Sequence, residues 1–117
     1  MAVVDSYSET NKDDYMHCRT GISNGQSFNN VSAGTLDSCK WYLTKFGSPT
    51  FNLVAKVYAH SGTYGTSSVP TGTALATSDT VAASTISSDP TFTLTTFTFS
   101  GANRITLDAS TYYVITL

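Results

Sequence analysis

Between Gly34 and His60 the chain alternates with a period of two. In GTLDSCKWYLTKFGSPTFNLVAKVYAH, Cys39, Trp41 and Leu43 interleave with Lys40, Tyr42 and Thr44. Further on, Phe51, Leu53, Ala55, Val57 and Ala59 interleave with Asn52, Val54, Lys56, Tyr58 and His60. Successive side chains leave a pleated strand on opposite sides, so this period suits a strand with one face in a core and does not suit a helix. Between the two runs, Gly47-Ser48-Pro49-Thr50 carries turn chemistry, since Gly admits positive φ and Pro presets φ. The stretch predicts two antiparallel strands joined by a short turn, with the rest of the chain packed on that hairpin. Trp41, Leu43, Leu53, Val57, Phe97 and Phe99 are the expected core.

The remaining sequence repeats the theme in shorter pieces. Strands are expected at residues 2–9, 15–22, 26–28, 80–86, 91–99, 105–107 and 111–117, separated by turns such as Ser23-Asn24-Gly25 and Ser87-Ser88-Asp89-Pro90. Phe92 and Leu94 are out of step with Phe97 and Phe99, so a bulge near Thr95-Thr96 would be needed to turn all four inward. The segment SGTYGTSSVPTGTALATSD reads as a long loop, anchored by Tyr64, Val69 and Leu75, in which Pro70 excludes a central strand. Ser and Thr make up roughly three residues in ten, and only 12% of residues are charged, against about 25% in ordinary proteins. Thr favours strands and Ser favours turns, while strong helix formers are sparse. About eight short strands, with no amphipathic helix, predict an all-β chain: one antiparallel β-sandwich of jelly-roll type spanning residues 1–117.

The same composition narrows function. A formal net charge of −2 leaves no basic face for nucleic acid. No apolar run reaches the 18 residues of a membrane span, so no membrane insertion is expected. Met-Ala-Val-Val-Asp shows neither the basic nor the apolar region of a secretory signal. GxSxG and HExxH are absent, and an enzyme is not expected. Cys18 and Cys39 form one disulfide or remain two separate buried thiols. Zn²⁺ at His17, Cys18 and His60 is disfavoured, because adjacent residues in a strand face opposite ways. Asn30-Val31-Ser32 matches the glycosylation sequon. Tyr42, Tyr58, Tyr64 and Tyr112 fall at outward or loop positions, where they either pack on strand neighbours or form platforms for carbohydrate.

GQSF, GTLDSCKWYLTKFGSP, AKVYAHSGTYGTSSVPTGTALATSD and FTFSGANRITLDASTYYVITL together resemble the jelly-roll domains known as choice-of-anchor modules. Such modules occur in phage virion and tail-associated proteins and in bacterial surface proteins. The resemblance covers most of the chain and consists of core, turn and loop residues rather than a catalytic motif. It implies a structural or adhesion module of a virion or cell surface, with a carbohydrate-binding module as the alternative. Many carbohydrate-binding jelly rolls hold a structural Ca²⁺ near the first strand, and Asp5, Glu9, Asp13 and Asp14 supply oxygen donors of the right kind. In the family, further strands usually follow the segment matching TYYVITL. The uncharged run Tyr112, Tyr113, Val114, Ile115, Leu117 is therefore expected to be an open edge, completed by a homo-oligomer partner or a second chain.

Overall fold

The computed structural model describes residues 21–117. The first expected strand, nearly all of the second, Asp5, Glu9, Asp13, Asp14, His17 and Cys18 lie outside the described residues. Among the described residues ten strands follow in order: β1 (Gly25–Asn30), β2 (Gly34–Thr35), β3 (Ser38–Leu43), β4 (Asn52–Leu53), β5 (Lys56–Ser61), β6 (Val69–Thr77), β7 (Val81–Ala82), β8 (Thr93–Thr98), β9 (Thr106–Leu107) and β10 (Thr111–Thr116). Helical structure among the described residues is confined to short 3₁₀ turns at Ala83–Thr85 and Gly101–Asn103. The chain is all-β, and every strand ladder among the described residues is antiparallel.

One sheet has the order β1-β10-β5-β6; β2-β9, β3-β8 and β4-β7 form separate two-stranded ladders. Pairing and alternation together decide which side chains are buried. Phe28 lies opposite Tyr113, which lies opposite Ala59, while Val57 lies between Ile115 and Ala76. These residues form the inner face of the large sheet. The ladders contribute Phe97 and Leu107 to the same cluster, and the residues just past β2 and β8 contribute Leu36 and Phe99, as the two inner faces of a sandwich do. Val57 and Phe97 are fully buried, and Phe28 stacks on Tyr113 with ring centroids 5.7 Å apart. Trp41, Leu43 and Leu53 were expected in the core; they are only partly buried and pack against its margin.

The expected central hairpin does not form. β3 pairs with β8, whereas β5 lies in the other sheet between β10 and β6. Alternation specifies which face of a strand is apolar but not which strand lies beside it, so two adjacent strands with matching patterns can still belong to different layers. Gly47, at φ +68°, makes its turn within a connection between the layers. The bulge expected in the 91–99 strand is absent as well. Register runs unbroken from Ser38↔Thr98 to Leu43↔Thr93, and Leu94 stays outside, opposite Tyr42.

The irregularity falls instead in β6, in the segment expected to be a loop. Its register against β5 shifts between Val57↔Ala76 and Ala59↔Thr71, so β6 carries extra residues opposite Tyr58. A sheet's outermost strand tolerates both this bulge and a proline, because fewer of its N–H groups are needed in ladders. Pro70 accordingly sits within β6, opposite His60.

The open edge expected at Tyr112, Tyr113, Val114, Ile115 and Leu117 is also corrected. β10 is a central strand, paired with β1 from Gly25↔Thr116 to Asn30↔Thr111 and with β5 on its other side. Beyond it, Leu117 is buried and exchanges backbone hydrogen bonds with Asn24. This strand is β-prone and uncharged because it is enclosed, as inner strands generally are.

Candidate aromatic binding site

Alternation in β5 and β10 sends Tyr58, His60, Tyr112 and Val114 to the face of the large sheet away from the core. The β10–β5 ladder ends at Tyr113↔Ala59, and just past it Tyr112 meets His60, with ring centroids 5.5 Å apart. Tyr64 comes from the loop between β5 and β6. It stacks on Tyr112 at 4.3 Å with the planes 15° apart, and it lies 5.9 Å from the His60 ring. Tyr64 and Tyr112 remain 38% and 44% exposed. Mutual stacking occupies one face of each ring.

Local sequence holds Tyr64 in place. Thr66 and Ser67 N–H groups donate to the Thr63 carbonyl at 3.0 and 2.9 Å, closing a tight turn. Ser67 Oγ accepts from Thr63 N–H, and Ser68 Oγ accepts from Gly65 N–H, each at 3.0 Å. Gly62 has φ +81°, and a Cβ there would collide with the Ser67 carbonyl, so the turn requires glycine. Ser68 Oγ also shares a 2.8 Å hydrogen bond with His60 Nε2, which ties the loop to β5. A serine beside an imidazole has the reach of a nucleophile–base pair, but a triad also needs a third group to orient the histidine. Among the described residues no carboxylate bonds to His60, and Ser68 already serves the turn. The pair acts as a staple that sets the ring plane.

Tyr112 is positioned from the other side. The turn between β9 and β10 is held by Asn30, which is 1% exposed and donates from Nδ2 to the Asp108 carbonyl at 2.7 Å. Asp108 N–H in turn donates to the Tyr113 hydroxyl at 2.9 Å. Burial of Asn30 also removes it as a glycosylation acceptor, since that chemistry needs an exposed amide.

A groove of about 490 Å³ opens beside the aromatic cluster, between the Ser23–Ser27 stretch and the Gly65–Pro70 stretch, with Val114 and Thr116 also lining it. A second cavity of about 390 Å³ lies against Lys56 and Tyr58. Of the four tyrosines weighed as carbohydrate platforms, the fold unites Tyr64 and Tyr112. Tyr58 is half-buried on the same face, one row away and opposite Val114. Tyr42 belongs to β3 in the other layer, facing solvent next to Leu94. His60 and Ser68 were not read from sequence as parts of this site. Tyr58 and His60 share a strand face by alternation, and that was the available signal for His60.

Cys39 is a free thiol, half-buried on β3, and its proposed partner Cys18 lies outside the described residues. Burial pushes the thiol up to about 11, an effect that the nearby Trp41 indole offsets only in part. Trp41 Nε1 is itself buried with no partner in hydrogen-bonding geometry, so its contact with the sulfur is a weak, misdirected one. Among the described residues no three His, Cys, Asp or Glu side chains gather as metal ligands would.

No family model, no curated protein and no solved structure matches this chain.

Proposed function

We propose that this chain is a non-enzymatic adhesion module that holds a saccharide on the outer face of its large sheet, at Tyr64, Tyr112 and His60. The stacked, half-exposed Tyr64–Tyr112 pair carries the reading. A pyranose ring has an apolar C–H face that packs on an aromatic ring, and hydroxyls that need donors and acceptors at its rim. Here the stack supplies the apolar surface, while His60, Ser68 and the tyrosine hydroxyls supply polar partners. Hydrogen bonds within the 62–68 turn pre-order Tyr64, and pre-ordering lowers the entropic cost of binding. A jelly-roll-like winding of a virion or cell-surface protein suits the role. It is supported by strands distant in sequence lying side by side, as β1 with β10 and β3 with β8 do.

A structural role through face-to-face protein contact is the second reading. It is favoured by the apolar pair Tyr42 and Leu94, which lie opposite each other and are each 44% exposed on the outer face of the other layer. Affinity electrophoresis through polysaccharide-containing gels separates the two. Retardation that Tyr64→Ala weakens by about tenfold, a loss of about 1.4 kcal/mol, supports the saccharide site. Unretarded protein, or retardation that Tyr64→Ala leaves unchanged, refutes it.

A further inference from the structure

The groove beside the aromatic cluster extends the site and defines its ligand. Ser68 belongs to both features: its Oγ bonds to His60 and its side lines the groove. Pro70, opposite His60 in the ladder, is likewise a groove residue. The aromatic stack and the groove are therefore continuous along the outer face. At about 490 Å³ the groove falls within the ~300–1,000 Å³ range of small-molecule sites. A single sugar ring on Tyr64 would leave it unused.

Its lining is chemically uniform. Ser, Asn, Gln, Gly and Thr dominate, with Pro70 and Val114 as apolar contacts, and none of the described lining residues carries a formal charge. The neighbouring cavity differs in this respect, because Lys56 lines it. The turn that presents Tyr64, Ser61 to Ser68, is also without charge. A carboxylated or sulfated chain placed here would lose hydration with no cation among the described lining residues to compensate it. Hydroxyls, in contrast, can exchange bonds with water for bonds to the groove's hydroxyl groups at little net cost.

We infer that the site takes an uncharged oligosaccharide several rings long, one ring resting on the Tyr64–Tyr112 stack and the next rings running along the groove beside Ser27 and Ser68. This inference rests on the saccharide reading above and adds the ligand's charge and length.

Isothermal titration with linear neutral glucan oligomers of one to six units, set against oligogalacturonate of matching lengths, tests it. For neutral chains the expected result is an affinity rising by about tenfold from the single unit to the longer oligomers. That affinity should be unchanged between roughly 50 and 500 mM salt, because an uncharged ligand forms no ion pair for salt to screen. Ser27→Trp, which fills the groove, should abolish the gain in affinity with chain length. Chain-length dependence in the unaltered protein decides the matter even if that variant misfolds. Tighter, salt-sensitive binding of the galacturonate oligomers would overturn the neutral-ligand inference while keeping the saccharide site. Equal affinity for one unit and six would overturn the groove's part. No binding to either series would remove the saccharide reading itself.

Discussion

Replacing Asn30 with Asp tests how the turn that carries Tyr112 is held. The side chain is 1% exposed, and its Nδ2 donates to the Asp108 carbonyl at 2.7 Å. Asn30→Asp is nearly isosteric, so packing is preserved while the donor becomes an oxygen. Ionised, that oxygen would face a carbonyl oxygen within hydrogen-bond distance. Burial raises a carboxyl pKa by up to about 3–5 units above its ordinary value near 3.9. With a rise of about 3 units, holding the charge at neutral pH costs about 4 kcal/mol, at 1.36 kcal/mol per unit. That is a large part of the ~5–15 kcal/mol typical of a domain. Because the folded pKa is raised, stability is retained below the unfolded value and lost as pH climbs through the folded one. Near pH 4 the protonated acid can again donate to Asp108, and the deficit should shrink to about 1 kcal/mol. Urea denaturation of the variant and the parent, at about pH 4 and about pH 7 with the m-value checked for constancy, measures the difference. Asn30→Ala serves as the control, losing about 1–2 kcal/mol equally at both. An Asn30→Asp deficit that is the same at both pH values would refute the buried donor bond.

Two further predictions concern the core and its margin. Phe97→Ala should cost about 3–5 kcal/mol in chemical denaturation, and Trp41→Ala distinctly less, because Phe97 is fully enclosed and Trp41 lies at the margin; the reverse order would move the centre of the core. With its thiol pushed up to about 11, Cys39 contributes stability that is intact below pH 9 and is lost as pH rises through about 11. The loss should be about 3 kcal/mol, measured as the parent's alkaline decline minus that of Cys39→Ala; identical declines would contradict it.

The alternation of Cys39, Trp41 and Leu43, and of Val57 with Tyr58, already announces strands with one apolar face. The scarcity of helix formers excludes the alternative, so the all-β class is written in local pattern. Phe97, Phe99 and Val57 could likewise be placed in the core, since large apolar residues in register on one face have nowhere else to go. Partnership is a different kind of information. Whether β3 lies beside β5 or β8 depends on how two apolar faces close over each other, and alternation is identical in both arrangements. The same gap misplaced β10. An uncharged β-prone strand reads as an exposed hazard or as an enclosed centre, and only its pairing with both β1 and β5 decides between them. It also hid β6, whose Gly, Pro and Thr look like a loop until β5 supplies a partner.

The candidate site divides along the same line. Tyr64 and Tyr112 were legible singly, as aromatics at outward or loop positions. Their contact was not, because they lie 48 positions apart and nothing local couples a loop to the start of the last strand. The tertiary structure brings them together: β10 enters between β1 and β5, which carries Tyr112 to His60, and the Gly62–Ser68 turn then folds Tyr64 onto it. Local sequence determines each side chain's face; the free energy of closing the sandwich determines which faces share a neighbourhood.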